Sequence, residues 1–179
     1  ICTVVGDQLR FYYIGFKGGD SSSYMHSNGA TGMATLRRDG FASMSTTGEG
    51  SLTTRPVKFS GKYMFVNVNC PAGELKVEIL DKNNKVIDGF SADKCKAVTI
   101  DSTIQQVEWN GASDLSSLAG QEVRFRFKLK NGDLYAFWVS PSTNGESNGY
   151  VAGGGPGYTS NKDTEGKKAY EKASGFQKF

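Results

Sequence analysis

The stretch 123-VRFRFKLKNGDLYAFWV-139 carries the clearest structural pattern in the chain. From Val123 to Leu129 apolar and basic residues alternate strictly, which is the period of a β-strand with one buried face. The segment 134–139 is again rich in aromatic residues, and Asn131-Gly132 stands between the two halves. Because both of these residues tolerate positive φ, Asn-Gly between strand patterns is typical of a tight turn. The sequence therefore predicts a β-hairpin over 123–139.

Further strand patterns lie upstream of this hairpin, with polar turns between them. They cover residues 57–59, 62–69, 74–80, 85–87, 97–100 and 105–109. Short strands at spacings of about ten residues favour an antiparallel sandwich or barrel over a βαβ fold. We therefore predict an all-β fold, a jelly-roll-like antiparallel β-sandwich over residues 1–141. Helix is predicted only at 114–119 and at 164–173.

The composition is that of one globular domain of ordinary size. The chain has 179 residues, of which 37% are hydrophobic and 12% aromatic, and this is enough to build a core. No stretch approaches the roughly 18 to 20 apolar residues that span a bilayer, so no membrane partner is expected. The first residues lack the pattern of a signal peptide, and the start at Ile1 is expected of a processed product or a piece of something longer.

The charge pattern argues against nucleic acid as a partner. The net charge is +3, and basic and acidic residues are interleaved. The one basic concentration occupies alternate positions of a single strand: Arg124, Arg126, Lys128 and Lys130. One interpretation is a solvated sheet face balanced by carboxylates of other strands, namely Glu74, Glu78 and Glu108. The other is a docking surface for an anionic polysaccharide.

The three cysteines, Cys2, Cys70 and Cys95, show no zinc-site spacing. The predicted strands 74–80 and 85–87 would form a hairpin across the turn at 81–84. Cys70 and Cys95 bracket this hairpin, so they are a candidate disulfide. Such a bond would indicate an oxidising compartment, and we therefore expect a secreted, extracellular protein. The alternative is three buried free thiols in a reduced protein.

Signals for catalysis are weak. The single histidine, His26, lies in a polar segment, 17–31, that is predicted to be a long exposed loop. Asp39 in the string Arg-Arg-Asp-Gly is better explained as a turn residue held by guanidinium groups than as a catalytic acid. Glu49 and Asp101 are isolated carboxylates. No cofactor is predicted, and a structural calcium ion has no assigned site, because no DxDxDG run occurs.

Binding is better supported than catalysis, because aromatic rings on β-sandwiches can stack on sugars. The candidate carbohydrate-binding residues are aromatic or basic: Trp109, Trp138, Tyr135, Tyr63, Arg124 and Arg126, with Tyr12, Tyr13 and Tyr24 as further aromatic candidates. For each tryptophan, packing in the core is the alternative, because tryptophan is largely buried on average.

Several short motifs occur in the chain in this order: 36-LRRDGFASM-44, 50-GSLTTRP-56, 61-GKY-63, 107-VEW-109, 124-RFRF-127 and 134-LYAF-137. They resemble the C-terminal end of proteins similar to glycoside hydrolase family 32, which carry a five-bladed β-propeller followed by a β-sandwich. The resemblance covers roughly residues 4–140. It implies that residues 1–45 contain late propeller strands and the passage into the sandwich. The family's catalytic carboxylates lie on earlier blades, so the resemblance implies a chain that is not an enzyme.

Residues 142–179 change to a Gly-, Ser- and Asn-rich composition, with spaced aromatic residues at Tyr150, Tyr158, Tyr170, Phe176 and Phe179. These aromatic residues are natural anchors, so we expect the tail to pack on the aromatic face of the domain. A neighbouring chain is the alternative surface, and it would make the protein a homo-oligomer.

Two functions of different class follow. The first is a non-catalytic, lectin-like module whose partner is a polysaccharide or other glycan. The second is a structural or stabilising subunit of a glycoside hydrolase family 32-like enzyme, with a propeller-containing partner chain. A lectin needs surface aromatics beside amide or carboxylate groups in a groove, whereas a subunit needs a broad apolar patch near residues 4–16.

Overall fold

The structure, a computed structural model, describes residues 1–18 and 27–176. Within these ranges eight strands pair antiparallel in two open sheets, which confirms the predicted all-β antiparallel sandwich. The elements are β1 Cys2–Val5, β2 Gln8–Phe16, β3 Gly29–Arg37, β4 Met44–Thr53, β5 Tyr63–Asn69, β6 Glu74–Leu80, β7 Asp101–Val107, β8 Arg124–Ser140 and the helix α1 Lys167–Ala173.

The larger sheet is organised around β8, which is 17 residues long. Lys130 in β8 is paired with Glu49 in β4 on one side and with Glu74 in β6 on the other. Asp133 is likewise opposite Ser45 in β4 and Asn69 in β5. Strands β5 and β6 therefore follow one another along the same edge of β8, and β7 pairs with the outer edge of β5.

The predicted hairpin at Asn131-Gly132 is wrong, because β8 runs through these residues without turning back. Asn131 has a φ of +44°. Opposite it, β4 accommodates two residues, Thr47 and Gly48, so the sheet has a bulge here. A Cβ on Gly132 would lie 2.6 Å from the Asn69 carbonyl oxygen. Only Asn131 of the pair has a positive φ, and Gly132 is a site of close backbone approach, so Asn-Gly here marks an irregular point inside a strand and not a hairpin turn.

The alternation in 123–129 predicts the buried face of β8 correctly. Val123, Phe125, Phe127 and Leu129 are all buried in the main core. They pack with apolar residues of β5 and β6 and of the irregular segments 86–100 and 108–122: Met64, Val66, Val68, Leu75, Val77, Ile79, Phe90, Trp109, Leu115 and Leu118. The core therefore lies between one face of the larger sheet and this long connection.

Several shorter predictions need correction. Segments 57–59, 85–87 and 97–100 are not strands; each meets its neighbour at one bridge only, through Val57, Val86 and Val98. The segment 114–119 forms a single 3-10 turn, Ser116–Leu118, and the predicted tail helix begins only at Lys167. The predicted loop 17–31 ends earlier, because β3 begins at Gly29. Tyr24 and His26 lie outside the described residues.

The smaller sheet has the strand order β1-β2-β3 and a core of its own, formed by Val4, Leu9 and Val151. The tail runs along β1: the Val4 amide donates to the Gly154 carbonyl at 2.8 Å, and the Gly153 amide donates to the Cys2 carbonyl at 3.0 Å. The tail thus pairs with the outer edge of this sheet.

The tail also covers the second face of the larger sheet. The rings of Phe65 and Trp138 are stacked there, with centroids 5.7 Å apart. The Trp138 indole donates to the Gly145 carbonyl at 3.0 Å, and the Lys167 ammonium lies 5.2 Å from the centre of the Phe65 ring. The described part of the tail therefore lies on its own domain, over the aromatic face.

Candidate functional site

The two candidate tryptophans do not present a free ring face. Trp109 is 6% exposed in the main core, and its indole donates to the Val77 carbonyl at 2.9 Å. Trp138 is half-buried between Phe65 and the tail. Both residues contribute to packing, and neither forms an open platform for a sugar ring.

Tyr135 is also occupied, because the Arg37 guanidinium lies 4.7 Å from the centre of its ring. Arg37 is held in turn by Asn67, whose Oδ1 accepts a hydrogen bond from Nε at 2.7 Å. It donates a further bond to the Val68 carbonyl at 3.0 Å. This cluster joins the end of β3 to β5, and Arg37 occupies one face of the Tyr135 ring.

The basic line on β8 is paired along its length. The Arg126 and Lys128 side chains both contact the buried carboxylate of Glu78, at 2.9 and 3.3 Å. Lys130 lies 3.6 Å from Glu49, and Arg124 donates to the Thr54 carbonyl at 3.2 Å. Of the three carboxylates predicted to balance the line, only Glu78 contacts it. The other two pair elsewhere: Glu74 with Lys76 and Glu108 with Lys96.

The predicted Cys70–Cys95 disulfide is wrong, because all three cysteines are free. The Cys70 thiol donates to the Val98 carbonyl at 3.2 Å, and the Cys95 sulfur accepts from the Val77 amide at 3.3 Å. Burial raises the pKa of both thiols, so they remain protonated and unreactive. The expectation of secretion therefore loses its support from cysteine chemistry.

Asp39 is an exposed turn residue with a φ of +51°, and the turn is closed by a hydrogen bond from the Gly40 amide to the Arg37 carbonyl. Its neighbour Arg38 points the other way, into the tail. The Arg38 guanidinium binds Asp163 at 2.8 Å and the Tyr158 hydroxyl at 2.6 Å. The string Arg-Arg-Asp-Gly is therefore a structural junction.

Tyr170 completes this junction, because the Arg38 guanidinium lies 5.4 Å from the centre of its ring. Burial raises the pKa of Tyr158 and Tyr170, and the positive charge of Arg38 acts in the opposite direction. Both tyrosines are among the anchors predicted from the sequence. Asp163 is not, because one carboxylate in a polar tail carries no signal of its partner.

One groove brings together a candidate aromatic residue and several polar side chains. It has a volume of about 230 Å³ and lies where segments 62–64, 106–109 and 112–115 meet. Tyr63, Gln106 and Asp114 line it, and a hydrogen bond from the Leu115 amide to the Lys62 carbonyl ties its walls together. Hydrogen bonds from Ser116 lower the pKa of Asp114. Among the candidate sugar-binding residues that the structure describes, Tyr63 is the one that lines the groove and is partly accessible.

A second feature is an exposed apolar surface on two paired strand segments, which was not among the predicted sites. Residues 12–16 of β2 and 29–33 of β3 form a two-stranded extension, which we call the apolar ribbon, beyond the end of β1. Its large apolar side chains are substantially exposed: Tyr12, Tyr13, Ile14, Phe16 and Met33. The signal in the sequence is the run FYYIGF at 11–16, which is apolar without alternation and typical of a strand covered on both faces.

Metal and membrane signals are lacking in the part of the chain that the structure describes. Residues 1–18 and 27–176 contain no group of three or more His, Cys, Asp or Glu side chains able to hold a metal ion. No helix within the same residues is long and apolar enough to cross a membrane.

Comparisons with known proteins return no match: no family model, no curated protein and no solved structure is similar to the chain. The class supported by the structure is an all-β antiparallel sandwich. The predicted resemblance to glycoside hydrolase family 32 is not supported by these comparisons and stays a prediction.

Proposed function

We propose that the chain is a non-catalytic structural module that packs against a second β-rich folded unit through the apolar ribbon. One observation carries the proposal: the ribbon exposes large apolar side chains on both of its faces. Ile14 is 64% exposed. It lies on the same face as Tyr12 and as Met33, which is the cross-strand partner of Tyr12. Tyr13, on the opposite face, is 57% exposed.

Such a ribbon needs a partner for physical reasons. An isolated two-stranded hairpin is at best marginally stable in water, and a contiguous exposed apolar patch usually marks an interaction surface. Phe41 extends the surface, because its ring packs edge-on against Phe11 at 6.2 Å and is itself largely exposed. Burying these side chains would contribute roughly 1.5–3 kcal/mol for each one fully covered.

The edge of the ribbon also favours a β-rich partner. β3 is the outer strand of its sheet, and no strand among the described residues pairs with its free edge. An edge strand presents a row of unpaired amide and carbonyl groups, which an added strand can satisfy. The resemblance to glycoside hydrolase family 32 supports a β-propeller as the unit that supplies it, because residues 6–15 are similar to a late propeller strand.

A binding experiment with a matched control tests this proposal. The full chain is titrated with the purified propeller domain of a glycoside hydrolase family 32-like enzyme, and amide hydrogen exchange is recorded with and without it. We expect association, with slowed exchange at residues 12–16 and 29–33. Ile14→Asp should abolish association, because it places a charge in the apolar interface. Ile100→Asp is the control, since Ile100 is also exposed but lies immediately before β7, away from the ribbon.

Two outcomes would contradict the proposal. The first is no association with the propeller domain by the unsubstituted chain. The second is association that Ile14→Asp and Ile100→Asp weaken equally, because the ribbon would then have no special part in it.

Carbohydrate binding is a second candidate function, and the groove beside Tyr63 is the observation that favours it. The groove is separate from the ribbon in sequence and in strand, because it lies at the β5–β7 end of the larger sheet. The two functions can therefore be tested independently of one another.

A further inference from the structure

The groove beside Tyr63 combines an aromatic ring with several polar side chains. Among residues 1–18 and 27–176, neither the Tyr63 hydroxyl nor the Gln106 amide makes a hydrogen bond. The Lys62 ammonium is likewise without a salt bridge to any described residue. Three residues whose side chains can donate hydrogen bonds thus line one concave site.

We propose that this groove binds a single sugar unit of a neutral glycan, with the Tyr63 ring as its stacking surface. The inference rests on the second candidate function above and is independent of the ribbon. A sugar ring has an apolar face that packs on an aromatic side chain and hydroxyl groups that need donors and acceptors around its rim. Tyr63 provides the first, and Gln106 and Asp114 provide the second.

The charge of the groove favours a neutral ligand. Lys62 and Lys96 contribute two positive charges to its lining, and Glu108 and Asp114 contribute two negative ones. The Lys96 ammonium is bound to Glu108 at 2.7 Å, so it is not available to attract an anion. A sulfated or uronic-acid sugar would meet one ammonium, that of Lys62, whose charge already acts on Asp114, and it would be repelled by Asp114.

The size of the groove limits the ligand to one ring. Its volume of about 230 Å³ lies below the roughly 300–1,000 Å³ of sites that hold drug-sized molecules. A longer glycan would therefore place one unit in the groove and leave the remainder in solvent. We expect weak affinity for a single unit, with little gain from longer chains.

Saturation-transfer NMR and calorimetry with defined sugars test the inference. The probes are neutral oligosaccharides built from glucose, galactose, mannose, xylose or fructose, with polygalacturonate and chondroitin sulfate as anionic comparisons. We expect at least one neutral sugar to bind with little dependence on salt. Tyr63→Ala should weaken binding roughly tenfold or more, as truncation of a central aromatic contact does. Tyr63→Phe should retain most of the affinity.

Control variants separate loss of the site from loss of the fold. Gln106→Leu removes the amide without removing the Tyr63 ring, and it should also weaken binding. Tyr12→Ala removes an exposed tyrosine of the ribbon and should leave sugar binding unchanged. Binding of no neutral sugar would overturn the inference, as would Tyr63→Ala and Gln106→Leu variants that bind as well as the original chain. Binding confined to anionic glycans would overturn it too, while leaving a lectin function at another surface.

Discussion

The Arg38 guanidinium lies 2.8 Å from the Asp163 carboxylate, although the two residues are 125 positions apart in the chain. Both side chains are buried, and the Asp163 carboxylate also accepts hydrogen bonds from the amides of Glu165 and Gly166. The pair therefore connects the end of the smaller sheet to the tail and determines the path of the tail over the domain.

Removing the charge of Asp163 should destabilise the protein strongly. Asp163→Asn leaves the Arg38 charge buried without its counter-ion, and breaking a buried pair in this way costs about 3–5 kcal/mol. The free energy of unfolding, measured by urea denaturation, should fall by that order. Asp39→Asn is the control: Asp39 lies 3.7 Å from the same guanidinium but is exposed, so a change within about 0.5 kcal/mol is expected. Equal effects would contradict the role of the Arg38–Asp163 pair.

Stability should decline at alkaline pH through Tyr158 and Tyr170. Burial raises the pKa of both hydroxyls in the folded state, so the folded protein retains protons that the unfolded chain releases. Their contribution is complete below about pH 10, the ordinary pKa of tyrosine, and is lost as pH rises through the folded-state pKa. Urea midpoints between about pH 8 and pH 11.5 measure this decline.

Variants assign the alkaline effect to these residues. Tyr158→Phe and Tyr170→Phe should each flatten the dependence of the urea midpoint on pH. Tyr150→Phe should leave it unchanged, because Tyr150 is 78% exposed. A pH dependence that none of the substitutions alters would show that other groups cause it.

Thiol titration should count three free cysteines after unfolding. In the native protein Cys2 is partly accessible and should react first with a thiol reagent, whereas Cys70 and Cys95 should react only on unfolding. Their burial and raised pKa both suppress the reactive thiolate. Detection of one thiol instead of three, under denaturing conditions and without reductant, would restore the disulfide.

Gly132→Ala should destabilise β8 where it passes between β4 and β5. The added methyl group would lie 2.6 Å from the Asn69 carbonyl oxygen and 2.6 Å from the Cys70 Cβ. Overpacking of this kind costs about 1–3 kcal/mol, measured as a loss of unfolding free energy. Gly48→Ala in the facing bulge is the matched control, because a Cβ there meets no atom within 4 Å. If Gly132 lay in an exposed turn, the two variants would behave alike.

Local patterns in the sequence predicted several elements well. The alternation at 123–129 identifies the buried face of β8, and the strands at 62–69 and 74–80 match β5 and β6 closely. These predictions succeed because the two-residue period of a strand depends on backbone geometry within the segment itself. The fold class follows from the same local information.

The candidate site was predicted less well. Tyr63 lies in the groove, but Trp109 and Trp138 are used for packing and Tyr135 lies beneath Arg37. An aromatic side chain has the same sequence pattern whether its ring faces solvent, a core or a cation. Which of these surrounds it depends on residues from distant segments, and no local pattern reports them.

Local sequence patterns establish that the chain is all-β and which residues of 123–129 are buried. The folded structure alone shows that β8 continues through Asn131-Gly132, opposite a bulge in β4, and that the tail is held by Arg38 and Asp163. The difference is one of separation along the chain. The periodicity of buried residues depends on neighbouring residues, whereas a bulge and a buried ion pair each require a partner that folding brings close.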